Sequence, residues 1–100
     1  MSFEVKSIID GDTIRVHPHW VFGERTGDIV KIKGYRTPSE YEQQYAIKKL
    51  TSSILKKSIE LKEAQNYFSD SEAILCSVYL NGININTYFP EFKTKFGSLG

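Results

Sequence analysis

One hundred residues, 40% hydrophobic, 25% charged and 13% aromatic, have the composition of one small globular domain and exclude the collagen-like and low-complexity classes. Thirteen basic against twelve acidic residues leave a net charge of +1, so no overall field attracts a polyanion and binding of one needs a local patch. The single cysteine, Cys76, excludes an intramolecular disulfide framework, and no apolar run nears the ~20 residues of a membrane span.

The chain opens on strands. Phe3-Glu4-Val5-Lys6-Ser7-Ile8 alternates apolar and polar residues, Asp10-Gly11-Asp12 supplies a turn, and Thr13-Ile14-Arg15-Val16-His17 alternates again, which predicts a hairpin. Pro18 ends or bends its second arm. After a polar stretch around Gly23 to Gly27, Ile29-Val30-Lys31-Ile32-Lys33 predicts a third strand with Val30 and Ile32 on one face and two lysines on the other.

The period then changes. Thr37 fits an N-cap, Pro38 the first helical position, and Glu40 the partner of a Thr-x-x-Glu capping box, so a helix is expected to start here. Tyr45, Ala46, Leu50, Ile54 and Leu55 keep helical spacing. Lys48, Lys49, Lys56 and Lys57 gather toward the C-terminal end, where the macrodipole favours cations. Ser58-Ile59-Glu60-Leu61-Lys62 predicts a fourth strand, and the polar segment through Asn66, Ser69, Asp70 and Ser71 a loop. The strongest hairpin signal is Asn81-Gly82 between Ala73-Ile74-Leu75-Cys76-Ser77-Val78-Tyr79-Leu80 and Ile83-Asn84-Ile85. A short helical piece over residues 86–92, interrupted by Pro90, and a fraying tail over residues 93–100 complete the chain. Five strands with a helix between the third and fourth is the element order of an OB-type barrel, a mainly β (α+β) fold.

Few residue groups offer chemistry. Asp10 and Asp12 place two carboxylates at one turn, the donor type that hard cations take, although spacing alone favours an Asx-stabilised hairpin turn. His17 and His19 lack a Cys or carboxylate partner at zinc-site spacing. Cys76 shares a strand face with Ile74, Val78 and Leu80, as a small buried hydrophobe would. Tyr88, Phe89 and Phe92 around Pro90 are expected to close the apolar end of the barrel. Arg15, Lys31, Lys33 and Arg36, with Trp20, Tyr35 and Tyr41 as stacking faces, suit a sequence-tolerant single-strand binder. For Trp20 a core position and an exposed platform both remain open.

Three segments in order, Ile8-Ile9-Asp10-Gly11-Asp12-Thr13-Ile14-Arg15-Val16, Val30-Lys31-Ile32-Lys33-Gly34-Tyr35-Arg36-Thr37-Pro38 and Ile74-Leu75-Cys76-Ser77-Val78-Tyr79-Leu80-Asn81-Gly82, resemble the staphylococcal nuclease (thermonuclease) family. The resemblance implies a five-stranded OB barrel and a calcium-dependent hydrolysis of DNA and RNA. It also implies a degenerate site. Asp12 matches the family's first metal-binding Asp, but Arg36 stands at the second. Ser39 stands at the general base, with Glu40 one place late. Lys31 replaces one phosphate-binding arginine, and the other falls near Ala73, in a segment without a basic residue.

A guanidinium in place of a ligand carboxylate reverses the charge at the ion's own position. The expectation is therefore a single domain over residues 1–100 without metal or other cofactor, leaning away from an enzyme, in which Arg36 pairs with Asp12. Its expected role is weak binding of single-stranded DNA or RNA through Arg15, Lys31, Lys33, Arg36, Tyr35 and Trp20. A protein-docking or self-associating module, and a residual calcium-dependent nuclease built on Asp12, Lys31 and Glu40, are the rival expectations. A cytoplasmic location without membrane association goes with all three, since Met1-Ser2-Phe3-Glu4-Val5-Lys6 lacks the order of a signal peptide.

Overall fold

The computed structural model describes residues 2–34, 39–67 and 72–90. Alternation of core and surface residues builds β1 (Ser2–Asp10), β2 (Thr13–Phe22) and β3 (Arg25–Ile32), an antiparallel meander. Helix α1 (Gln43–Ile54) follows, then β4 (Ser58–Asn66), β5 (Ala73–Leu80) and a two-residue β6 (Ile83–Asn84), with a single 3-10 turn over Ile85–Tyr88. β4 pairs with both β1 and β5, and β3 pairs in parallel with β5 from Ile29↔Ala73 to Ile32↔Cys76. The circuit β1-β2-β3-β5-β4-β1 is a closed five-stranded mixed barrel with one helix, consistent with an OB-type barrel.

The inward residues of every strand meet in one core. Val5, Ile14, Val16, Val30, Ile32, Ile59, Ile74, Cys76 and Val78 fill it. Ala46, Leu50 and Ile54, spaced four apart on α1, are fully buried, so the helix closes the barrel with one stripe and leaves its other faces in water. Phe89 is buried beside them as expected for an apolar plug, while Tyr88 is partly exposed and Phe92 lies outside the described residues. Cys76 is buried as a small hydrophobe, and burial pushes its thiol up to about 12. At the Asn81-Gly82 turn both residues have positive φ, 54° and 82°, the conformation that a two-residue hairpin turn requires and that these two residue types tolerate.

β2 continues past Pro18 to Phe22 with a register shift between Arg15 and Trp20, the second of the two outcomes expected there. Other boundaries differ from expectation. β3 consequently begins at Arg25, because the tight turn is at Gly23-Glu24 and the polar residues up to Gly27 are strand residues. β4 runs on to Asn66 through a bulge between Lys62 and Gln65, where Glu63 has φ 56°. The bulge lets a polar segment remain paired. The helix starts later than a Thr37 cap predicts: the Gln43 N–H donates to the Ser39 carbonyl and the Ser39 N–H to the Glu42 carboxylate, so Glu42 takes the reciprocal role assigned to Glu40. Thr37 and Pro38 lie outside the described residues, as does the tail. No lysine falls in the last turn of α1; Lys48 and Lys49 are mid-helix, and Lys56 and Lys57 belong to the link, where the Lys56 N–H donates to the Val5 carbonyl.

Trp20 settles in the core, not on the surface. Its side chain is buried, its indole N–H donates to the Ile29 carbonyl at 3.0 Å, and the Arg25 guanidinium lies 5.5 Å over the ring. Gly27, its cross-strand partner, makes this possible, since a Cβ there would stand 2.7 Å from the ring. Gly27→Ala should therefore destabilise the domain by about 1–3 kcal/mol, measured by urea unfolding followed through Trp20 fluorescence.

Candidate functional site

The site grows from the β1–β2 turn. Asp10 Oδ1 accepts from the Asp12 N–H at 3.1 Å, which is the Asx turn that spacing favoured. The Gly11 N–H donates to Gln43 Oε1 at 2.8 Å, tying the turn to the first residue of α1, and the Ile32 N–H donates to the Asp12 carbonyl. These bonds hold the Asp12 side chain inward, where it is 1% exposed. The Thr13 hydroxyl donates to Oδ1, and Lys31 Nζ lies 2.6 Å from Oδ2. Thr13 and Lys31 are cross-strand partners, so the ladder itself delivers the ammonium to the carboxylate.

The partner found for Asp12 among the described residues is thus Lys31, where Arg36 was expected; Arg36 and Tyr35 lie outside the described residues. Burial, reinforced by the adjoining Asp10 carboxylate, raises the Asp12 pKa in spite of Lys31. Burial also opposes the charge on Asp10, but hydrogen bonds from Asp12 and Thr13 outweigh it and lower the Asp10 pKa. On Lys31 burial opposes the charge as well, and the Asp12 contact outweighs it and raises the pKa.

Beside this pair is an open cleft of about 310 Å³ lined by Ile9, Asp10, Thr13, Ile29, Lys31 and Tyr67. Lys31 Nζ stands 5.5 Å from the centre of the Tyr67 ring. The same outer wall of the barrel continues across β3, β5 and β4. Lys33 reaches over β5 to the Glu63 carbonyl at 3.3 Å, Ser77 donates to the Glu63 carboxylate at 2.8 Å, and Lys62 Nζ lies 4.7 Å from the centre of the Tyr79 ring. Tyr67 and Tyr79 were not singled out from sequence. Their signal was an aromatic residue just past the end of one strand and another on the outward face of the next, but only strand pairing puts each beside a lysine: β4 with β5 for Tyr79 and Lys62, and β5 with β3 as well for Tyr67 and Lys31.

The other expected site residues are dispersed. Arg15 is exposed on β2 and faces Asp28 at 3.7 Å. Trp20 is in the core. Glu40 and Tyr41 are exposed in the turn leading into α1, Tyr41 at 97%. Among the described residues no three His, Cys, Asp or Glu side chains gather as a metal-binding group, and no helix is long and apolar enough to cross a membrane. Asp10 and Asp12 are the candidate oxygen donors.

Replacing Lys31 tests the electrostatics directly. Lys31→Met leaves a buried carboxylate without its counter-charge, and a loss of about 2–4 kcal/mol is expected at pH 7. The loss should shrink as the pH falls through the raised Asp12 pKa, because the protonated carboxyl is neutral and its burial no longer opposes folding. Urea unfolding of both proteins at pH 7 and near pH 4 measures the difference, and Asp12→Asn in the Lys31→Met background should restore most of the loss at pH 7.

Comparison with family models, with curated proteins and with solved structures finds no match to this chain.

Proposed function

We propose that this domain is a nuclease-type OB barrel that binds single-stranded nucleic acid along the outer wall formed by β3, β5 and β4, without calcium-dependent hydrolysis. The observation that carries the reading is the pair of lysine–tyrosine contacts on that wall, Lys31 with Tyr67 and Lys62 with Tyr79, with Lys33 between them. Each pair offers an aromatic face for a base and an ammonium for the neighbouring phosphate. Lys31 stands on β3 and Lys33 just past its end, so both ammonium groups belong to the same edge of the wall. The cleft at Lys31, about 310 Å³, has the size of a small-ligand site, which supports a single nucleotide as its occupant.

Calcium fits this site poorly. The ion takes six to eight oxygen ligands, and here one of two carboxylates is already in contact with an ammonium while the other accepts a backbone N–H. A divalent ion at Asp12 would have to displace Lys31. The sequence resemblance to the staphylococcal nuclease family supports the ligand class, and Arg36 at the position of the second metal carboxylate supports the loss of the metal.

Fluorescence anisotropy with a short labelled oligo(dT) tests the proposal. Binding should weaken with salt on a log–log slope of about −1.4 to −2.1, as for two or three neutralised phosphates on a single strand. Tyr67→Ala should lower the affinity by about 1–3 kcal/mol, or roughly 5- to 150-fold. Chelator should change nothing. Affinity independent of salt, or oligonucleotide cleavage that chelator abolishes and Asp12→Asn removes, would overturn the reading.

A further inference from the structure

On the outer wall, among the lysines, one fixed group has the wrong sign for a polyanion. Glu63 stands in the β4 bulge between Lys62 and Gln65 at φ 56°, the left-handed region that a residue with a Cβ adopts only at a cost. Both of its acceptor groups are engaged from the side of β5. The carbonyl accepts from Lys33 Nζ at 3.3 Å, and Oε1 accepts from the Ser77 hydroxyl at 2.8 Å.

Ser77 alternates with the inward Cys76 and Val78 and so belongs to the outer face, yet it is only 5% exposed. Its hydroxyl is covered, and the bond it makes holds the carboxylate in one orientation where an exposed glutamate would swing freely. Ser77 occupies one oxygen. Oε2 has no hydrogen-bond or ion-pair partner among the described residues, and Glu63 is open to solvent. The buried hydroxyl needs an acceptor but not a charge, since a glutamine carbonyl oxygen accepts as well. The charge of Glu63 therefore has no use in this contact within the fold.

That charge repels phosphate and attracts a donor. On a strand whose phosphates meet lysines and whose bases meet tyrosines, the donor that recurs at every nucleotide whatever its base is the ribose 2′-hydroxyl. From this arrangement we infer that the wall takes RNA in preference to single-stranded DNA, with Glu63 accepting a hydrogen bond from a 2′-hydroxyl and Ser77 positioning its carboxylate. The inference rests on the nucleic-acid reading of the wall and narrows it to one sugar. Discrimination has two parts. The hydroxyl makes a charge-assisted bond, and deoxyribose in its place leaves the carboxylate facing the strand with nothing to offset its repulsion.

Anisotropy titrations with three short labelled strands of one base, oligo(U), oligo(dU) and 2′-fluoro oligo(U), separate the sources of a preference. The fluoro sugar keeps the ribose pucker and lacks the donor. Oligo(U) should bind at least about fivefold more tightly than either of the others, as for one bond to a charged group at an exposed position. Glu63→Gln keeps an acceptor for Ser77 and should bring the ribo-to-deoxy ratio close to unity. Ser77→Ala should lower the same ratio by releasing the carboxylate. Glu60→Gln removes another carboxylate of this wall, opposite Tyr79, and should tighten all three probes alike with the ratio unchanged. Thermal unfolding confirms that each variant folds. Equal binding of oligo(U) and oligo(dU), a ratio that survives Glu63→Gln, or 2′-fluoro binding as tight as that of oligo(U) would overturn the inference and leave the wall standing as a binding surface. Binding of none of the three would overturn the wall and the inference together.

Discussion

The parallel pairing of β3 with β5 is the contact on which the rest of the molecule depends. It joins residues 29–32 to residues 73–76, more than forty positions apart in the chain, and turns a meander plus a hairpin into a closed barrel. Without it the inner faces of β3 and β5 have nothing opposite them, and Val30, Ile32, Ile74 and Cys76 would face water. The cost is entropic, since a long loop must close before any of that burial is gained. The helix and β4 lie within that loop.

The same pairing creates the chemistry of the outer wall. Lys31 is set opposite Leu75, and Lys33 passes its ammonium over β5 to the Glu63 carbonyl. One lysine of β3 is used inwardly, as the counter-charge of Asp12, while still presenting its ammonium near Tyr67. That double use is economical in a chain of this size, because a buried carboxylate without a neighbour of opposite sign would be strongly destabilising. It also means that one side chain, Lys31, contributes both to the charge balance of the turn and to the positive character of the wall.

Much of the framework was legible in the sequence, and the reasons are physical. Alternation identified β1, the inward face of β3, and β5, because a side chain placed one residue out of phase would move from core to water. The Asn81-Gly82 turn and the Cys76 environment followed from the same rule. What failed was legibility where a polar segment keeps strand geometry. The end of β4 stays paired through a bulge, which a two-residue period does not report. The start of α1 was misplaced because two overlapping capping patterns, Thr37 with Glu40 and Ser39 with Glu42, stand two residues apart, and only the backbone bonds of Ser39 distinguish them. At the candidate site, Asp12 and Lys31 were found but their mutual contact was not, since it arises from cross-strand register. Trp20 was ambiguous until Gly27 was seen to leave room for its ring.

The Gln43 amide that accepts the Gly11 N–H is an uncharged tether between the turn and the helix. Around it, Asp10, Asp12 and Lys31 change ionisation with pH. An amide neither titrates nor responds strongly to ionic strength. The bond that ties α1 to the β1–β2 turn therefore involves no group that titrates, although it stands beside three that do.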